Sequence, residues 1–344
     1  MKLRFQKDAI VNGINIVMKA VPSKTTMSIL ECILIDASTG EIKLTGNDME
    51  LGIETKVEGE ILEHGKIALD AKLFSEITRR LSSENASVTI ESDDKFTTTI
   101  SCENSVFNIQ GRDGEEFAYL PYIEKDKYIC LSQFTLKEVI QQTIFSISPN
   151  DSNKMMAGEL FEVNENQLKV VSLDGHRISI RKVRLKDHYD DTKVIVPGKT
   201  LSEISKILGG DNEKEVLIYF SANHILFEFD STVVVSRLIE GEYFRINQML
   251  SSDYETKVSV NKKEFLNCIE RATILIREND KKPLIINIGD NSMEMKLNSS
   301  FGSMNADLMI HKTGKDIMIG FNPKFLIDAL RVIDDEEINI YMMN

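Results

Sequence analysis

The sequence predicts an α+β protein of three similar domains, each built from two helices and a set of short strands. Three observations carry this expectation. Six stretches show the apolar period of a helix. Between them lie short alternating runs rich in Val, Ile, Thr and Phe. The strand-to-helix transitions recur at an interval of about 125 residues.

Over 7–20, Ile10, Val11, Ile14, Val17 and Met18 form one apolar stripe. Over 70–82 the stripe is Leu73, Phe74, Ile77 and Leu81, with Asp70 placed to cap the helix. Further helices are expected at 133–147, 198–208, 261–276 and 322–333. Asn261 and Asn322 suit the N-cap, and Pro323 suits the first helical position. Strands are expected at 87–90, 97–101, 216–220 and 225–229, with Gly, Asn and Asp between them.

The repeat is read from three runs that lead a strand into a helix: Ile67-Ala68-Leu69-Asp70-Ala71-Lys72, Val194-Ile195-Val196-Pro197-Gly198-Lys199 and Ile319-Gly320-Phe321-Asn322-Pro323-Lys324. Their lysines fall at 72, 199 and 324, steps of 127 and 125. A turn at Asn47-Asp48 precedes one at Asp174-Gly175 by a similar step. The period is far longer than a solenoid repeat, so each unit is a domain, with expected bounds 1–125, 126–250 and 251–344. After its second helix, the first unit supplies strands through Gln110 and the second through Ile239. In the third only Glu337-Ile338-Asn339-Ile340-Tyr341-Met342 follows. Two C-terminal strands are therefore expected to be missing, the natural chain continuing past Asn344 or this copy being shortened, because an unpaired sheet edge is a liability.

The chain of 344 residues is 42% apolar and 28% charged, ordinary for a globular protein. No apolar run approaches a membrane span and no signal peptide is visible. The four cysteines are scattered without a CxxC pair, which argues against zinc and for a reducing, cytoplasmic setting. Net charge is −13, which by itself argues against nucleic acid. Its distribution argues otherwise. The six helix candidates hold thirteen basic and eight acidic residues, a balance of +5 that leaves −18 on the rest. Helices lining one side of a curved assembly would attract phosphate while the acidic remainder repels it, without reading base sequence.

The most informative stretch is Val170-Val171-Ser172-Leu173-Asp174-Gly175-His176-Arg177-Ile178-Ser179. Apolar-rich strands flank an Asp-Gly turn, a hairpin signature. His176 and Arg177 are expected on a strand, pointing to opposite faces. Beside Leu173 and Ile178 they would frame an apolar groove with polar anchors, suited to a partner's peptide. Asp174, His176 and Arg177 could also be drawn as acid–base groups. No nucleophile elbow, Walker loop or metal-spaced histidine cluster accompanies them, and the run Asp334-Asp335-Glu336-Glu337 reads as solvated. No catalysis, cofactor or metal is expected.

The Asp-Gly-His-Arg run resembles the signature of the bacterial sliding clamp, the β subunit of DNA polymerase III. Leu44-Thr45-Gly46-Asn47-Asp48-Met49-Glu50, Glu116-Phe117-Ala118-Tyr119-Leu120-Pro121, Val194-Ile195-Val196-Pro197, Ser236-Arg237-Leu238-Ile239-Glu240-Gly241 and Glu270-Arg271-Ala272-Thr273-Ile274-Leu275 extend the likeness over nearly the full chain. The resemblance implies a clamp fold: helices on antiparallel sheets, three domains per subunit, and a homodimeric ring of six domains around duplex DNA. It implies a non-catalytic processivity factor that tethers the DNA polymerase III α subunit, the clamp loader and other proteins bearing a clamp-binding motif. The alternative is an interaction scaffold that does not encircle DNA.

The resemblance places a partner-peptide pocket at Met156, Leu173, Gly175, His176, Arg177 and Ile178, with Phe244, Gln248 and Met249 as a further wall. Many clamps carry Phe-Pro-Asp-Tyr where this chain has Tyr243-Phe244-Arg245-Ile246, so an aromatic ring replaces a proline. Lys24, Lys72, Arg79, Asn150 and Lys199 match DNA-facing positions, and Lys206 joins them as a helix cation. Phe107 and Ile109 match one side of the subunit junction, and Ile274 and Leu275 the other.

Overall fold

The computed structural model describes residues 1–81, 86–148, 153–277 and 282–343. It divides into two compact units, Met1–Asp174 with Ile180–Gly241, and Gly175–Ser179 with Glu242–Asn344.

Among its described residues the first unit holds the helices α1 (Lys7–Val17), α2 (Ala71–Arg79), α3 (Gln133–Thr143) and α4 (Gly198–Ile207). Short 3-10 turns, Met18–Ala20 and Ile144–Ser146, continue α1 and α3. Asp70 caps α2 by accepting from the Leu73 amide, as its sequence position implied. The α1 stripe is buried at Ile10, Ile14 and Val17. In α2, Phe74 and Ile77 are buried but Leu73 is exposed, against the expected stripe.

One five-stranded sheet has the order Glu60–Glu63, Lys2–Gln6, Ser87–Ser92, Thr97–Cys102, Ser105–Gln110. A nine-stranded antiparallel sheet runs Arg112–Asp113, Lys66–Asp70, Cys32–Asp36, Lys43–Asn47, Leu51–Lys56, Thr232–Arg237, His224–Phe229, Glu215–Phe220, Tyr128–Ser132. Its middle pairing joins two repeats: Thr232 faces Thr55, Val234 faces Ile53 and Ser236 faces Leu51. Val234 and Ile53 are fully buried, and the Thr55 and Thr232 hydroxyls hydrogen-bond at 2.9 Å. A shared ladder with a shared core explains why the first two repeats form one unit. A two-stranded ribbon pairs Gly158–Leu173 with Ile178–Pro197.

The second unit holds α5 (Ile246–Met249), α6 (Lys262–Thr273) and α7 (Pro323–Arg331). α5 is not among the helices expected from the apolar period. Asn261 accepts from the Glu264 amide and Asn322 from the Lys324 amide, with Pro323 opening α7, all as expected. A three-stranded sheet orders His311–Gly314, Thr256–Asn261, Glu337–Met342. A four-stranded sheet orders Gly302–Met309, Ser292–Ser299, Leu284–Ile288, Ile317–Phe321. Phe265, Cys268, Ile269, Met293, Met295 and Leu297 fill the core.

In every repeat the two helices pack on each other, α1 on α2, α3 on α4 and α6 on α7. One cross-brace recurs. Lys7 donates to the Leu81 carbonyl (2.6 Å), Lys137 to the Leu208 carbonyl (3.0 Å) and Lys262 to the Ile333 carbonyl (2.8 Å). Each ammonium satisfies an acceptor at the end of its partner helix, where the dipole favours a cation. These three lysines therefore serve the fold, and the helix charge balance overstates what is presented to a ligand.

Candidate peptide pocket and nucleic-acid interface

The turn of the long ribbon is Asp174–Arg177, with Gly175 at φ +88°. Nothing lies within 4 Å of where a Gly175 Cβ would stand, so the left-handed backbone, and not crowding, favours glycine there. His176 and Arg177 belong to the turn, because the second strand begins only at Ile178. The expectation that they point to opposite faces of a strand is therefore corrected. Both meet one ring. The His176 imidazole stacks on Phe325 with centroids 5.9 Å apart, and the Arg177 guanidinium lies 4.4 Å from the same centroid. Arg177 Nη1 also donates to Asp328 Oδ2 at 2.8 Å. Phe325 and Asp328 sit three apart on α7 and so share a face. Sequence reasoning missed both. Phe325 stood directly after the repeated strand-to-helix run, but periodicity does not say what a ring touches.

The other pocket candidates fall in both units. In the first, Leu173 is 1% exposed, and Met156 is half-buried in the 3-10 turn Lys154–Ala157. In the second, Ile178 is half-buried, and the Phe244 ring meets Tyr243 edge-on at 5.7 Å. Gln248 and Met249 lie exposed on α5.

Of the DNA-facing candidates, Lys24, Lys72, Arg79, Lys199 and Lys206 are all exposed. Asn150 lies outside the described residues. Arg79 donates to Asn15, Lys199 pairs with Asp48 and Lys206 with Glu203. The lysine ends of the two ion pairs are more than half exposed, while the Asp48 and Glu203 side chains are 8% and 20% exposed. A cleft of about 820 Å³ brings Lys154 and Arg237 beside Lys199.

Of the junction candidates, Phe107 and Ile109 lie on Ser105–Gln110, the outermost strand of its sheet, with Phe107 38% exposed. Ile274, just past α6, is 80% exposed, and Leu275 is half-buried. Gly302–Met309 is the outermost strand of the four-stranded sheet.

Among the described residues no group of three or more His, Cys, Asp or Glu could hold a metal ion, and no helix is long and apolar enough to cross a membrane. The run Asp334–Glu337 is exposed. One titratable group stands apart from every candidate. Glu159 is fully buried, and burial pushes its carboxyl up to about 8. Its Oε2 contacts Thr143 Oγ1 at 3.0 Å, and its Oε1 has no hydrogen-bond partner among the described residues.

Models of the three domains of the DNA polymerase III β subunit match this chain in order: the N-terminal domain over 1–121, the central domain over 130–244 and the C-terminal domain over 247–344. The chain belongs to the DNA polymerase III β-subunit family, the sliding clamps. A β sliding clamp of Staphylococcus aureus is 33% identical over 99% of this chain and 92% of its own length. A solved putative DNA polymerase III β subunit from Eubacterium rectale is 65% identical, with a TM-score of 0.97 over 100% of this chain and 93% of that one. The Bacillus subtilis sliding clamp is 33% identical, with a TM-score of 0.95 over the same shares. The fold is thus the three-domain clamp fold. DNA sliding clamp is the function, and the reading as a scaffold unrelated to DNA falls away.

Proposed function

We propose that two copies of this clamp close into a six-domain ring around duplex DNA, with domains bounded at 1–125, 126–250 and 251–344. The DNA polymerase III α subunit, the clamp loader and other proteins with a clamp-binding motif dock in the pocket at Met156, Leu173, Gly175, His176, Arg177, Ile178, Phe244, Gln248 and Met249. The clamp works in the cytoplasm, performs no chemistry and leaves ATP hydrolysis to the loader. Lys24, Lys72, Arg79, Asn150, Lys199 and Lys206 face phosphate without reading sequence.

The observation that carries the ring is the ladder between Leu51–Lys56 and Thr232–Arg237. Its equivalents in the outer repeats are the two open edges. Thr232 faces Phe229 across its hairpin as Ser105 faces Cys102, which aligns Val234 with Phe107. The N-caps Asp70 and Asn322 align Leu69 with Phe321 and, strand by strand, Ile53 with Met304 and Thr55 with Ala306. A second copy then supplies the missing partner: Ser105 faces its Ala306, Phe107 its Met304 and Ile109 its Gly302. The contact is heterologous and closes after two copies. Ile274 and Leu275 flank it.

Binding of a labelled Gln-Leu-Ser-Leu-Phe peptide, a clamp-type ligand, tests the pocket by fluorescence anisotropy. Saturable binding is expected, weakened at least tenfold by Arg177→Ala, the loss expected when a charged hydrogen-bonding side chain is truncated. Equal affinity of the two proteins contradicts the assignment.

A further inference from the structure

We propose that Asp328 is a positioning residue of the peptide pocket, acting through Arg177; the inference rests on the pocket reading above. The repeat supplies the comparison. Counted from the N-caps Asp70, Pro197 and Asn322, the same helical position holds Glu76, Glu203 and Asp328. In α2 and α4 the acid pairs along its own helix, Glu76 with Arg80 and Glu203 with Lys206. In α7 the basic residue Arg331 pairs with Glu270 of α6 instead, and the shorter Asp328 reaches the turn and takes Arg177.

Three features suit this acid to orienting a side chain. It stands in the second half of α7, where the helix dipole disfavours a carboxylate, so its own helix does not account for it. The Asp328–Arg177 pair is the most buried of the three, with side chains 23% and 17% exposed, against 20% and 51% for Glu203 and Lys206 and 67% and 81% for Glu76 and Arg80. The guanidinium is held by two contacts on α7, lying over the Phe325 ring and donating to the Asp328 carboxylate. A planar fork fixed in this way keeps its orientation before a peptide arrives, which lowers the ordering cost of binding. Asp328 touches no peptide in this scheme. Its effect passes through the guanidinium.

A double-mutant cycle on the full chain tests this, with the same labelled peptide and the variants Asp328→Asn, Arg177→Ala and both together. Asp328→Asn is expected to weaken binding roughly tenfold, and to add nothing once Arg177 is Ala. Asp328→Glu, which keeps the charge, is expected to recover part of the loss. A general structural role would weaken binding by the same factor in both backgrounds, and that result overturns the inference. So does wild-type affinity in Asp328→Asn while Arg177→Ala is impaired, which leaves the pocket reading standing. If the wild-type protein binds no peptide, the pocket reading falls and this inference falls with it.

Discussion

Phe107→Asp is expected to turn the dimer into monomers at micromolar concentration, while Val106→Lys, one residue away, leaves it intact. Neighbours on a strand face opposite ways. Phe107 lies opposite Ile100, a fully buried residue, so it is on the core face of its sheet. Its equivalent Val234 and that residue's partner Ile53 are both fully buried where the first two repeats join. The second copy is therefore expected to bury Phe107 against Met304. A carboxylate there is desolvated without a partner, at a cost of several kcal/mol, or on the order of a hundredfold to a thousandfold in dimer affinity. Val106 is 61% exposed on the other face and tolerates charge. Sedimentation velocity on the two variants decides. A Phe107→Asp dimer as tight as wild type removes this strand from the junction.

Glu159→Gln is expected to abolish much of the protein's loss of stability between weakly acid and alkaline pH. Burial raises the folded-state pKa from 4.5 to about 8, and the Thr143 hydroxyl at Oε2 opposes that rise. The geometry agrees with a neutral carboxyl. Thr143 has one proton, and Val139 O at 2.8 Å competes with Glu159 Oε2 for it; a protonated Glu159 donates to Thr143 instead. Above about 4.5 the unfolded chain releases this proton while the folded chain retains it. Its stabilisation is thus complete below 4.5, declines as pH rises and is gone above about 8. At roughly 1.4 kcal/mol per pH unit, the swing between 4.5 and about 8 is about 5 kcal/mol. Urea midpoints at pH 5, 6.5, 8 and 9, at fixed protein concentration, measure it. Parallel profiles for wild type and Glu159→Gln would mean that the carboxyl ionises alike in both states.

What the sequence disclosed was local. The α1 stripe, the caps at Asp70, Asn261 and Asn322 and the turn at Gly175 are set within a few residues, so pattern alone finds them. The equal spacing of Lys72, Lys199 and Lys324 exposed the repeat for the same reason. What stayed hidden was set by partners distant in sequence. Arg177 meets Asp328, 151 residues on. Lys7, Lys137 and Lys262 count as free charge until their carbonyls, 71 to 74 residues away, are known. Leu73 fits an apolar stripe and is exposed, because helical period marks a face without saying what covers it. Glu159 lies in an ordinary strand pattern, and only the packing around it makes it unusual. The clamp resemblance lent the pocket its residues, and the contacts then gave the turn a different geometry from the strand first expected.

The central claim is that the protein holds DNA by topology. The most direct measurement is retention after a clamp loader and ATP have placed labelled protein on nicked circular DNA. Gel filtration in high salt would be followed by a single restriction cut. A ring is predicted to stay with the circle through salt that screens its lysines and to leave once the ends are free. Retention that falls with salt on the circle, or that survives linearisation, would mean that charge and not enclosure holds the DNA.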